Sequence, residues 1–228
     1  MDMTDTKAGL CDQFSSYHNS DLFSDFTIKC GEIKWKVHKF VLAVHSDVLK
    51  KCCHGTFKES SEGVLDLSEH EEIHVESLVH YLYHFSYDYV LPNANPDKHL
   101  GEGSFPIDMA IIADKYFITG LNALANAKFA DDIAPFVQDD ETLAPLATKA
   151  FEVPQATSLA RELLVNSIVR NRTLGDNPRG SVASAMRDNG EFAVDVALAL
   201  QSSIPDTRLS IEQIMRSLEA ADHARRVT

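Results

Sequence analysis

The chain has 228 residues, 44% of them hydrophobic, and a formal net charge of −13. That length holds one large domain, or one domain with a helical appendix. So acidic a balance argues against sequence-independent DNA or RNA binding, which needs Lys and Arg against phosphate, and against docking on anionic membranes.

No apolar run approaches the length of a membrane span, and Met1 to Lys7 lacks a basic stretch followed by an apolar core, so no secretory leader is expected. Four cysteines (Cys11, Cys30, Cys52, Cys53) show no C-x-x-C spacing. They read as reduced thiols, which sets the expectation of a cytoplasmic or nuclear protein.

Leu10, Phe14 and Tyr17 recur at i, i+4 and i+7 within Lys7 to Tyr17 and predict a short amphipathic helix. Phe26 to Cys30 and Ile33 to Val37 alternate as two short strands, with Gly31-Glu32 as a two-residue turn between them. Trp35 and Val37 share one face, and Lys34 and Lys36 the other. The stretch Val37 to Leu49 is the one around which the chain is organised. Phe40, Val41, Val44, Val48 and Leu49 fall near one face at helical spacing and predict a core-facing stripe, on a helix running from Lys39 to His54 and ended by Gly55. Val64 to Leu67 reads as a third strand. Ser68-x-x-Glu71 reads as a capping box, opening a helix through Leu78, Leu82 and Phe85 or preceding one that starts a few residues on.

Asp88 to Ser104 carries Pro92, Asn93, Asn95, Pro96, Gly101 and Gly103 and is expected to be an insertion loop. Phe105 to Tyr116 and Leu121 to Phe129 predict a helical hairpin around Gly120. Beyond Pro135, helices are expected at Asp139 to Phe151, Gln155 to Arg170, Ser181 to Asp188 and Glu191 to Ser203, with breaks at Pro154 and Gly175 to Gly180. After Pro205, Ser210-x-x-Gln213 opens a last helix with Ile211, Ile214, Met215 and Leu218 on one stripe.

The order of several pieces is specific. Ser24 to Ile28 (S-D-F-T-I) is followed by V-H-K at Val37 to Lys39, V-L-A at Val41 to Ala43, Ser46 and Leu49. Then come F-K-E-S at Phe57 to Ser60, V-L-D-L at Val64 to Leu67, Y-L-Y at Tyr81 to Tyr83 and A-D-K-Y at Ala113 to Tyr116. Together, over about half of the chain, they resemble the BTB/POZ domain. The resemblance implies an α+β protein: an N-terminal helix over 1–19, a BTB/POZ domain over 20–135 with an insertion loop at 88–104, and a helical tail over 136–228. Glu191 to Leu200 resembles the helical tail that follows the BTB domain in many fungal proteins.

The resemblance also implies sites. In many members of this family such an N-terminal helix packs in a homodimer interface, which would place Leu10, Phe14 and Tyr17 there; the alternative is a helix folded back on its own domain. Asp25 and Lys39 match an acidic and a basic position that form a charged pocket near the two-fold axis, where a buried pair serves specificity rather than stability. The alternative is a capping Asp25 and a solvated Lys39. Phe57 and Glu59 match the hydrophobic-x-Glu motif with which BTB adaptors of ubiquitin ligases dock a cullin. His38 reads as a packed, hydrogen-bonded histidine.

Other residues bear on possible chemistry. His70 with His74, and His80 with His84, have i, i+4 spacing that can bind zinc on a helix, with Glu76 on the same face. H-E-x-x-H is absent and no third ligand is fixed, so no metal or cofactor is expected and a metal-dependent enzyme is the least favoured reading. Cys52-Cys53-His54 has neighbours that point apart on a helix and makes no nucleophile–base pair. There is no P-loop, G-x-S-x-G or G-x-G-x-x-G. The expected function is protein–protein association: a homodimeric scaffold or regulatory dimer, with a cullin adaptor as the alternative and an unknown protein partner for the tail.

Overall fold

The computed structural model describes residues 13–87, 99–133, 140–153, 155–170 and 179–203. Leu10 and Cys11, most of the insertion (88–98) and the last helix expected from the sequence (210–218) lie outside them.

Strands β1 (Phe26–Cys30) and β2 (Ile33–Val37) form an antiparallel hairpin in the register Phe26↔Val37, Ile28↔Trp35, Cys30↔Ile33. Its turn needs Gly31, whose φ is +57°, a conformation that an L side chain resists. Phe26, Ile28, Cys30, Trp35 and Val37 all point into the core, as the alternation requires.

The chain then makes three short helices, α1 (Lys39–His45), α2 (Asp47–His54) and α3 (Lys58–Glu62), before β3 (Val64–Asp66). Strand β3 pairs parallel with β1, giving the order β2-β1-β3. A parallel neighbour demands a long crossover, and α1 to α3 supply it. Lys29 and Asp66, partners in that register, form a 3.3 Å ion pair.

The single helix expected over 39–54 is two. Ser46 leaves helical geometry, and its Oγ accepts the N–H groups of Val48 (3.0 Å) and Leu49 (3.2 Å), capping α2. The same hydroxyl donates to the carbonyl of Tyr116, 70 residues on. Serine thus ends one helix, starts the next and ties both to a distant segment. The break also changes which residues face inward. Val41, Leu42, Leu49 and Cys53 are buried, whereas Phe40 and Val44 are 71% and 62% exposed.

Helix α4 (Glu72–His84) buries Val75, Leu78, Val79, Tyr81, Leu82 and Tyr83. The expected capping box is not formed: Glu71 is the cap position and makes no side-chain capping bond. Ser68 is used elsewhere, accepting from Gly31 N–H at 2.9 Å and bonding Asp66.

Helix α5 (His99–Lys115) starts six residues before the expected Phe105, so 99–104 belong to a helix and not to the loop. Helix α6 (Thr119–Asp132) follows a three-residue link. Gly120 lies in its first turn rather than between the helices, where the Tyr81 hydroxyl leaves no room for a Cβ. Helices α7 (Asp140–Ala150), α8 (Ser158–Arg170), α9 (Ser181–Asp188) and α10 (Gly190–Ser203) match the expected tail closely.

Two hydrophobic cores result. One joins the sheet, α1, α2 and α4 to Met109, Ala110, Ile112, Ala113, Leu121 and Ala125 of α5 and α6. The other joins Ile107, Phe129 and Ile133 to α7 through α10. The α5–α6 hairpin is therefore a wall of both. Asp108 reinforces it, accepting from Lys149 of α7 at 2.5 Å while His74 of α4 lies 3.4 Å away.

Candidate protein-docking faces

Two exposed faces collect the residues singled out by sequence. The first is built on α1 and the loop before β1. Phe40 and Val44, one turn apart, stand on the solvent side of α1, and Leu22 and Phe23 of the loop are 57% and 75% exposed. His38 holds that loop against the helix start. Tyr83 Oη accepts from His38 N–H (3.1 Å) and donates to His38 Nδ1 (2.7 Å), which leaves Nε2–H to donate to the Leu22 carbonyl (2.9 Å). Both ring nitrogens are thereby occupied within the chain, so His38 is a packing histidine. Burial pushes the Tyr83 phenol up to about 12, keeping this network protonated.

Asp25 accepts from the backbone N–H of Lys39 at 2.8 Å, serving the otherwise unpartnered N-terminus of α1. Asp25 is exposed within the chain, and the Lys39 ammonium sits over the Phe26 ring at 5.8 Å. The two are neighbours, as their positions imply, but they do not form a buried ion pair within one chain.

Phe14 and Tyr17 do not point outward. The Phe14 ring packs on Tyr83 and Phe85 at 5.8 and 6.0 Å, and Tyr17 meets His38 edge-on at 5.8 Å. The segment that carries them lies on α4 of its own chain, which corresponds to the folded-back alternative. His18 follows, with Nδ1 3.2 Å from His84 Nε2 and its ring stacked on Tyr83.

The second face is at α3. Phe57 is 55% exposed and occupies the position before the helix, and Glu59 is half-buried in its first turn. Gly55 permits the bend between α2 and α3: a Cβ there would meet the Lys51 carbonyl at 2.6 Å and the Phe57 ring at 2.9 Å. Cys52 and Tyr116 lie near Glu59; burial raises both groups, and the carboxylate adds to it. Tyr81 and Tyr83 belong to the core and not to this face.

The histidines are occupied as packing groups. His70 precedes α4 and so does not share a helix with His74, contrary to the zinc spacing; the His74 ring packs tilted against Phe105, with centroids 4.7 Å apart. His80 and His84 stack on each other at 4.0 Å and 8°, and His80 Nδ1 bonds the Ser86 carbonyl at 2.8 Å. Among the described residues no three His, Cys, Asp or Glu side chains group as a metal site. Cys30 and Cys53 are buried and Cys52 partly so, all as free thiols; burial pushes the Cys53 thiol up to about 11 and makes it a poor nucleophile.

Sequence reasoning missed three exposed phenylalanines in left-handed backbone. Phe23, Phe85 and Phe117 have φ of +62°, +55° and +53°. A bulky residue there costs about 1–2 kcal/mol. Nothing in the local sequence marks these positions, because glycine or asparagine is the usual signal.

The described residues thus form a three-stranded sheet with a parallel crossover strand, flanked by short helices that carry outward apolar side chains. Residues 14–96 match the family model of the BTB/POZ domain, and the chain carries a BTB/POZ domain followed by a helical C-terminal region. It is a protein–protein interaction module. No curated protein matches the chain.

Proposed function

We propose that the chain works as a homodimer through the α1 face, acting as a scaffold or regulatory dimer. The observation that carries this reading is the outward apolar set Leu22, Phe23, Phe40 and Val44 beside a capped helix N-terminus. At 71% exposure, Phe40 alone leaves roughly 140 Å² in water, and covering it is worth about 3 kcal/mol as an upper value. A two-fold axis through this face doubles every such contact, and it brings Asp25 and Lys39 of the two copies to the same interface. In this reading Phe14 and Tyr17 support the face from behind, through Tyr83 and His38. The test is solution mass by light scattering over a dilution series, wild type against Phe40→Asp with Val44→Asp. A dimer that becomes a monomer in the variant supports the reading, and a wild-type monomer at every concentration overturns it.

A second reading, cullin adaptor, is favoured by the exposure of Phe57 next to Glu59 at α3. The apolar ring would fill a pocket of the cullin and the carboxylate would fix its approach. Capture by purified cullin, wild type against Phe57→Ala with Glu59→Ala, decides it: equal capture of both proteins removes the motif from the argument.

A further inference from the structure

The solvent face of the sheet carries charge opposite in sign to that of the chain, whose net charge is −13. Lys34 and Lys36 of β2 are exposed there, and Lys29 of β1 lies on the same side. Lys29 and Lys34 stand directly opposite each other in the hairpin register, and like charges so placed weaken strand pairing. Asp66 answers Lys29 at 3.3 Å. Among the described residues neither Lys34 nor Lys36 has an ion-pair partner. Glu32 and Glu72, the other carboxylates nearby, stand at the Gly31 turn.

Strand β2 is also an edge. Strand β1 lies on one side of it and no described strand on the other. The Lys36 N–H donates to Asn19 Oδ1 at 3.2 Å, away from β1. Backbone groups two residues apart on a strand point the same way, so the N–H and carbonyl of Lys34 face that open edge too.

We propose that the β2 edge receives a short acidic segment of a partner protein, which adds to the sheet as a fourth strand. Main-chain bonds to Lys34 hold it, and alternate side chains select it. Acidic residues at i and i+2 of the incoming strand lie on one side, about 7 Å apart, and meet Lys34 and Lys36. The residue between them falls on the other side, beside Ile33, which is 41% exposed, and is therefore apolar. A second copy of the chain is a poor occupant. Antiparallel pairing of β2 with β2 would put Lys34 and Lys36 of both copies on one face with nothing of opposite sign between them. Asn19 covers the Lys36 end, which confines the added strand to the half of β2 nearer the turn. Neither docking face described above contains these residues.

The test uses the full chain and a fluorescent, end-blocked hexapeptide of alternating Glu and Val. Anisotropy should show binding that weakens as salt is added. Lys34→Glu with Lys36→Glu should lower the affinity by roughly tenfold or more, since two attractive surface contacts become repulsive. The same peptide N-methylated at every amide keeps its charge, cannot pair its backbone and should not bind; this arm needs no protein variant. Amide exchange at Lys34, followed by NMR, should slow when the unmodified peptide is present. No binding of the Glu–Val peptide, or equal binding by the charge-reversed chain, overturns the proposal. Equal binding of the methylated peptide also overturns it, by leaving charge attraction alone. So does slower exchange at Lys34 on concentrating the chain without peptide, which makes a second copy the occupant.

Discussion

Ser46→Ala isolates one side chain that does two jobs. The hydroxyl caps α2 through Val48 and Leu49 N–H, and it donates to the Tyr116 carbonyl beyond the C-terminus of α5. Loss of an N-cap costs about 1 kcal/mol, within a span of roughly 0.5–2. Removing the donor to a carbonyl at a site where Ser46 is only 5% exposed adds about 1–3 kcal/mol, because water does not readily replace it. The expected loss is therefore about 2–4 kcal/mol, well above a surface control such as Ser61→Ala, whose hydroxyl bonds only the neighbouring Lys58 carbonyl. Urea unfolding followed by far-UV circular dichroism reads the midpoint and slope. The midpoint should fall with the slope unchanged, since little surface changes. A loss below about 0.5 kcal/mol, equal to the control, would refute the claim that this residue joins the α1–α2 corner to α5.

Three further outcomes are expected. Gly120→Ala should destabilise by about 1–3 kcal/mol, because the new methyl meets the Tyr81 hydroxyl, and Tyr81→Phe should recover much of it; thermal melts of the two single variants and the double variant check this. Phe117→Gly should stabilise by about 0.5–1 kcal/mol, since the ring is 70% exposed and the backbone at φ +53° is relieved, as read by the urea midpoint. His18, His45, His70, His74 and His84 are all held below the usual histidine range chiefly by burial, and His84 and His80 add repulsion at His18. The unfolded chain then binds more protons than the folded one. The stability from keeping these rings neutral is complete above the ordinary histidine pKa near 6.5 and is lost as pH falls below it. Urea midpoints at pH 7.5, 6.5 and 5.5 should decline in that order, and less steeply in His18→Ala.

Periodicity carried most of the element pattern. The strands of I-K-W-K-V type and the tail helices needed only alternation or helical spacing, and they lie within a few residues of where the sequence puts them. What escaped was decided by distant partners. The run from Val37 to Leu49 has no local breaker, and the corner at Ser46 exists because Tyr116 meets it. Helix α1 carries apolar side chains toward both core and solvent, and spacing alone does not say that Phe40 and Val44 take the outer side. Ser68 had the sequence of a cap but was claimed by Gly31 and Asp66. Gly101 and Gly103 argued for a loop, yet 99–104 are helical, a case of tertiary context outweighing propensity. The Asp25–Lys39 and Phe57–Glu59 positions were legible only through family resemblance, since neither pair stands out by composition.

The α5–α6 hairpin lends one face to the sheet-bearing core and the other to the tail core. Cutting the chain after residue 135 would uncover Ile107, Phe129 and Ile133 together, so the two halves are not separable cassettes. Destabilising either half should therefore weaken the other, since both bury faces of the same hairpin. The tail is thus a built-in thermodynamic gauge of the docking half, and a partner that tightens α4 against the hairpin should slow local opening as far away as α10.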